Sequence, residues 1–301
     1  MVIPMKIRIP ATSANIGSGF DSLGLALNMY NYVWMEEQEG VEIISLDDTP
    51  VPTDKSNLIY QSAQYLYDLC GRRLPGLKIK QLNNIPMARG LGSSSACIVA
   101  GLLGANRLLN SPLSTDDLVN IAAVKEGHPD NSTPAILGGL VTAVLDGGKV
   151  YKVKQEIMQH MRFAAFIPDF ELKTEVARHA LPREIAHKDG AYNLARAALM
   201  SVSLYSGHFE NLRVAAGDKL HQPYRLQYIA GASEVFGLSY DLGAYATYIS
   251  GAGSTLMSII SDQNSGEFEE KARKALDGMG LDKWRIEVLD IDNSGTKVTA
   301  S

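Results

Sequence analysis

Residues 86–96 read Pro86-Met87-Ala88-Arg89-Gly90-Leu91-Gly92-Ser93-Ser94-Ser95-Ala96. Two glycines and three serines stand between a β-like run at 77–82 and an apolar run of helical spacing. That run starts at Ser93 and continues through Ala96, Val99, Ala100 and Leu103. A glycine-rich turn feeding a helix N-terminus is suited to an oxyanion: the backbone can come close, free N–H groups point at the anion, and the helix dipole favours negative charge. The stretch is therefore read as a phosphate loop, with Ser93 as the helix N-cap. It is not a Walker A loop, because no Lys follows the second glycine. It is not a nucleophile elbow, because the stretch from Gly92 to Ala96 lacks that motif's closing glycine.

Three more polar stretches carry residues able to do chemistry. Residues 10–21 run Pro10-Ala11-Thr12-Ser13-Ala14-Asn15-Ile16-Gly17-Ser18-Gly19-Phe20-Asp21, residues 126–134 run Glu126-Gly127-His128-Pro129-Asp130-Asn131-Ser132-Thr133-Pro134, and residues 250–255 hold Ser250-Gly251-Ala252-Gly253-Ser254. Asn, Asp, His and Ser crowd these stretches while their flanks are apolar, the usual arrangement of a site carried on loops.

A scaffold must hold the four loops together. Alternation predicts strands at 5–9, 23–27, 30–36, 41–45 and 77–82, and a hairpin of 140–145 with 149–153 turned by Asp146-Gly147-Gly148. Helices are expected at 57–69, from 93 to about 109, and from an N-cap at Ser114 to about Glu126, with Asp116 and Asp117 in the first turn. The pattern changes near residue 155, which divides the chain into parts 1–155 and 156–301. In the second part, strands are expected at 162–168, 245–250, 255–260 and 284–289. Helices are expected there at 174–181, 189–206, 209–217, 222–237 and 266–279. No strict βαβ rhythm runs through this order, so the class is α+β.

Composition limits the function. The 301 residues are 46% hydrophobic and 20% charged, as in ordinary globular proteins, and the net charge of −5 argues against a nucleic-acid surface. Cys70 and Cys97 lie in apolar runs without a C-x-x-C, which reads as free thiols in a reducing compartment. No signal-like or membrane-spanning apolar run occurs, so a cytoplasmic location is expected.

Taken together, the loops resemble the GHMP kinases. Pro86-x-x-x-Gly90-Leu91-Gly92-Ser93-Ser94 is similar to motif 2 of that family, residues 10–21 to motif 1, and Ser250-Gly251-Ala252-Gly253 to motif 3. The stretch from Glu126 to Asn131, Thr174-x-x-x-Arg178 and His221-Gln222-Pro223-Tyr224-Arg225 resemble the branch that phosphorylates L-homoserine on the way to threonine. The resemblance runs from Lys6 to about Leu289. The sequence departs from the common pattern at Ser18 (usually Pro), Ser95 (usually Ala), Ser132-Thr133 (usually Val-Ala) and Ser254 (usually Pro).

The resemblance implies a two-part GHMP kinase fold, with an N-terminal ribosomal protein S5 domain 2-like part and a C-terminal ferredoxin-like part. It also implies ATP and Mg²⁺ as cofactors, and L-homoserine with ATP as small-molecule partners. No nucleic acid or membrane is implied, and a homodimer is the expected assembly. The loop of Pro86, Met87, Ala88, Arg89, Gly90, Leu91, Gly92, Ser93, Ser94, Ser95 and Ala96 would wrap the ATP phosphates, and Ser94 with Glu126 would ligate Mg²⁺. Asn15, Asp21, His128, Asn131, Thr174, Arg178 and Arg225 would form the amino-acid site: Asp21 for the ammonium, the two Arg for the carboxylate, His128 and Asn131 near the hydroxyl. His128, Asp130 and Asn131 form the expected catalytic set. Asp130 has two readings, a general base or a holder of its loop through backbone N–H bonds, and the second is favoured because phosphoryl transfer relies mainly on positioning.

Overall fold

The structure is a computed structural model that describes residues 5–157 and 160–300. Strands β1 (Met5–Ala14), β2 (Leu23–Glu37), β3 (Gly40–Ser45), β4 (Gly76–Leu82), β5 (Leu140–Asp146) and β6 (Lys149–Gln155) belong to one sheet, and β7 (Met161–Ile167), β8 (Ala246–Ile249), β9 (Leu256–Ser261) and β10 (Arg285–Leu289) to another. The last strand, β11 (Lys297–Ala300), returns to the first sheet beside β1. The helices are α1 (Leu58–Leu69), α2 (Ser93–Leu108), α3 (Thr115–Glu126), α4 (Ser132–Leu137), α5 (Thr174–His179), α6 (His187–Ser206), α7 (Leu212–Ala215), α8 (Gln222–Arg225), α9 (Ala232–Asp241) and α10 (Ser265–Gly278). The mixture is α+β, as expected from the pattern.

The first sheet runs β11-β1-β2-β4-β3, with β5 pairing the start of β2 and β6 closing the hairpin; the second runs β10-β7-β9-β8, all antiparallel. Helix α2 is buried on nearly every side. Ala96, Ile98, Val99, Ala100, Leu102 and Ala105 are each 5% exposed or less, so it packs between the first sheet and its neighbouring helices rather than lying on the surface. A buried Ile or Leu contributes about 1.5–3 kcal/mol, so the phosphate loop is tied to an element that cannot shift cheaply. Asn57 caps α1 by accepting from Ile59 N at 2.9 Å, and Ser114 with Asp117 forms a capping box on α3.

Several local expectations need correction. The strands expected at 23–27 and 30–36 are one strand, because β2 continues past a bulge opposite the Pro10/Ala11 step. Residues 10–14 are not loop: they extend β1 toward the site. Residues 132–134 belong to α4. The helix expected at 222–237 is interrupted: α8 passes into a 3₁₀ turn, Leu226–Tyr228, and α9 begins only after Gly231. The 209–217 segment likewise divides into the turn Phe209–Asn211 and α7. Strand β11 has no counterpart among the expected strands, because four residues carry too little periodicity to read.

Candidate active site

The four polar stretches meet where β1 ends. Thr12 N donates to Leu91 O at 3.1 Å and Thr12 Oγ1 to Asn131 Oδ1 at 2.7 Å. Ser250 Oγ donates to Gly90 O at 2.7 Å and lies 2.8 Å from Ser13 Oγ. Gly251 N donates to Ala14 O at 3.1 Å. The turn between β4 and α2 is pressed against these neighbours. Gly90 has φ +73°, and a Cβ there would lie 2.1 Å from Ser250 O; Gly92 has φ +74°, and its Cβ would lie 2.0 Å from Thr12 Oγ1. Only glycine meets both demands.

Gly92 rather than Ser93 is the N-cap of α2, and it caps without a side-chain hydrogen bond. Its left-handed backbone turns the chain into the helix, which makes Ser93 the first helical residue. The first backbone bond of the ladder runs from Ala96 N to Gly92 O, so the amides of Ser93, Ser94 and Ser95 precede it. All three residues line a cavity of about 320 Å³ with Ala88, Arg89, Gly90, Gly92, Lys125, Glu126, His128, Asn131, Thr174 and Gly251. Leu91 and Ala96 instead point into the core. Pro86, Met87 and Arg89 line a larger cleft of about 830 Å³ that also holds Thr49, Pro50, Asn83, Asn84, Pro168, Asp169, Lys283 and Arg285. This second cleft has no signature in the sequence, because its walls come from five distant segments, Met29 of β2 among them. Arg89 is fastened by backbone carbonyls, donating to Met87 O at 2.8 Å, Pro168 O at 3.0 Å and Asp169 O at 2.6 Å.

Glu126 ends α3 at the cavity wall. Its Oε1 accepts from Ser95 Oγ and its Oε2 from Ser132 N at 3.1 Å. Burial raises its pKa above the ordinary value, against the His128 charge and the hydrogen bonds of Ser95 and Ser132. Ser94 is exposed on the same wall, but the hydroxyl bonded to Glu126 is that of Ser95. Ser95 thus has a visible role that its departure from the common pattern did not reveal. A buried carboxylate beside serine hydroxyls is a set of hard oxygen donors, which fits Mg²⁺. Lys125, next to Glu126, adds a positive charge that sequence reading missed; its place in the last turn of α3 was the available signal.

His128 Nδ1 lies 2.5 Å from Asp130 Oδ1, which also accepts from Asn131 Nδ2 at 3.3 Å. Asp130 is 2% exposed, and among the described residues its carboxylate is held by these side chains and not by the backbone N–H bonds expected of it. Burial would lower the His128 pKa, but the Asp130 hydrogen bond and charge outweigh it and raise the value.

Asp21 and Arg178 form a two-point ion pair at the mouth of this region, and Thr174 lies one helical turn before Arg178. Asn15 is buried, with Nδ2 donating to Gly251 O at 2.7 Å and Oδ1 accepting from Asp21 N at 3.0 Å, so its amide ties loops together. Arg225 on α8 is 2% exposed. Its Nη1 donates to Gly251 O at 2.9 Å and to His221 Nδ1 at 3.2 Å, while His221 Nε2 donates to Gly17 O at 2.7 Å. Burial, followed by the nearby Arg178 charge, lowers the Arg225 pKa to about 10, so the group stays protonated at neutral pH. Among the described residues, no carboxylate lies within ion-pair distance of Arg225, which leaves a buried cation facing uncharged acceptors.

The family model of the GHMP kinases N terminal domain matches residues 57–139. The chain is 45% identical to a homoserine kinase of Clostridium beijerinckii over 98% of both chains. It is 42% identical to one of Caldicellulosiruptor saccharolyticus over 98% of this chain and 96% of the other. The crystal structure of homoserine kinase from Cytophaga hutchinsonii superposes with a TM-score of 0.88 at 27% identity, covering 99% of this chain and 98% of that one.

Proposed function

The chain belongs to the homoserine kinases of the GHMP kinase family, and on that premise we propose that it transfers the γ-phosphoryl group of ATP to the side-chain hydroxyl of L-homoserine. The products are O-phospho-L-homoserine and ADP, in the synthesis of threonine. The observation that carries this reading is Arg225, a buried guanidinium without a carboxylate partner among the described residues, next to the Asp21–Arg178 pair. One carboxylate and two guanidinium groups match the ammonium and carboxylate of an amino acid.

The amides of Ser93, Ser94 and Ser95 bind the phosphates at the start of α2, and the larger cleft past Arg89 receives the nucleoside. Glu126 and Ser94 would hold Mg²⁺, which neutralises phosphate charge when bound. Lys125 adds charge at the same wall. Asp21, Arg178 and Arg225 orient the amino acid, and Asn131, fixed by Thr12, positions its hydroxyl. His128, whose pKa the Asp130 hydrogen bond and charge raise against burial, points a ring N–H toward the transferring group. The hydroxyl proton passes to phosphate or water, because positioning and charge stabilisation carry most of the rate.

A coupled assay with homoserine, mevalonate and galactose tests the reading. Turnover of homoserine alone is expected. Turnover of another alcohol would favour a different GHMP kinase, and none would favour a nucleotide-binding relative without catalysis. The free cysteines and the use of ATP support a cytoplasmic setting. The exposed Leu194, Val202 and Tyr205 on α6, whose Ser201 Oγ lies 3.2 Å from Thr142 Oγ1 of β5, support a homodimer, which light scattering measures.

A further inference from the structure

Phe20 immediately precedes Asp21, and none of the functions above uses its side chain. Its ring stacks on His221 with centroids 5.2 Å apart and planes 21° apart. Arg225 Cζ lies 5.4 Å from the same centroid and Arg178 Cζ 6.0 Å from it. One ring therefore serves two guanidinium groups that repel each other; the Arg178 charge is, after burial, the next cause of the lowered Arg225 pKa.

A buried cation needs compensation. A carboxylate in contact with Arg225 would supply it, but would also occupy the group. A ring face attracts the cation through its quadrupole without neutralising it, and the Gly251 carbonyl adds a dipole. The positive charge stays available to an incoming anion. Arg178 is held in a related way, between the Phe20 ring and the adjacent Asp21 carboxylate. We propose that Phe20 is a positioning residue for the substrate carboxylate: its ring holds the guanidinium groups of Arg178 and Arg225 in place to receive that carboxylate. The identity of that carboxylate rests on the homoserine reading.

Phe20→Leu keeps apolar volume and removes the quadrupole. The expected result is a rise of about tenfold in KM for homoserine, with kcat and KM for ATP changed less than about twofold. Phe20→Tyr keeps the ring face and restores most of the affinity. An unchanged homoserine KM in Phe20→Leu overturns the proposal, as does a Tyr variant no better than the Leu variant, or an equal loss on the ATP side. The geometry is also tested without a variant: the side-chain Nε–H signals of Arg178 and Arg225 in the NMR spectrum of the wild-type protein should carry ring-current shifts, and their absence overturns the proposal. If the wild-type protein fails to phosphorylate homoserine, the functional reading alone falls, and the ring-current shifts still decide whether Phe20 holds both groups.

Discussion

Asp21 and Arg178 stand 157 residues apart in the sequence and meet in a two-point ion pair, with Nη2 3.0 Å from Oδ1 and Nη1 3.4 Å from Oδ2. Both side chains are partly exposed, so the pair itself adds little stability. Its interest lies in its exchange. A zwitterion brings its own positive and negative groups, and can give an ammonium to Asp21 and a carboxylate to Arg178 as the pair opens. A ligand with a single charge leaves one of the two without a partner.

Single-charge analogues should therefore bind poorly. The amino alcohol 3-aminopropan-1-ol and the hydroxy acid 4-hydroxybutanoate are each expected to bind at least about 100-fold more weakly than homoserine, on the scale of a lost charged hydrogen bond. Calorimetric titration measures this; comparable affinity for either analogue would remove the exchange. Asp21→Asn and Arg178→Ala should each raise KM for homoserine by about 10- to 100-fold and leave KM for ATP unchanged.

Ser95→Ala removes the hydroxyl bonded to Glu126 Oε1 and leaves the Ser132 N bond to Oε2. The carboxylate then loses part of its orientation. The Mg²⁺ concentration for half-maximal activity should rise about 10-fold, the low end of the effect of one hydrogen bond to a charged group, while KM for homoserine stays fixed. Direct titration with Mn²⁺, followed by its paramagnetic signal, should show the same weakening.

The His128–Asp130 pair makes stability depend on pH. The folded protein raises the His128 pKa above 6.5, so it binds the proton more tightly than the unfolded chain does. The contribution is complete below about pH 6.5 and is lost as pH rises through the folded value. Urea unfolding of the wild type should therefore show a midpoint that falls as pH rises above about 6.5, and His128→Gln should flatten that fall. Parallel curves for the two proteins would show that the pair does not govern this range.

Gly90→Ala places a methyl group against the Ser250 carbonyl in a backbone conformation that L side chains rarely adopt. We expect a loss of about 1–3 kcal/mol in stability, a lower Tm, and kcat/KM for ATP reduced at least about tenfold because the phosphate loop and the 250–255 turn must separate. Wild-type ATP kinetics in this variant would show that their contact is dispensable.

The sequence by itself determined the elements and the chemistry of the loops. The 3.6-residue apolar spacing located α2, alternation located most strands, and the glycine–serine turn marked a place for phosphate, because each of these depends on neighbours along the chain. Its errors were local too: Ser93 looked like a cap because serine often caps helices, whereas the left-handed backbone at Gly92 occupies that position.

Only the tertiary structure decided which residues meet. It joined Ser95 to Glu126, Thr12 to Asn131 and Phe20 to both Arg178 and Arg225, and it assembled the larger cleft from five segments. It also turned Asn15 inward to hold loops together, and brought β11 back to the first sheet. Contacts of this kind depend on how sheets and helices pack. The energy that selects them is shared over a buried core, so no short stretch of sequence carries their signature.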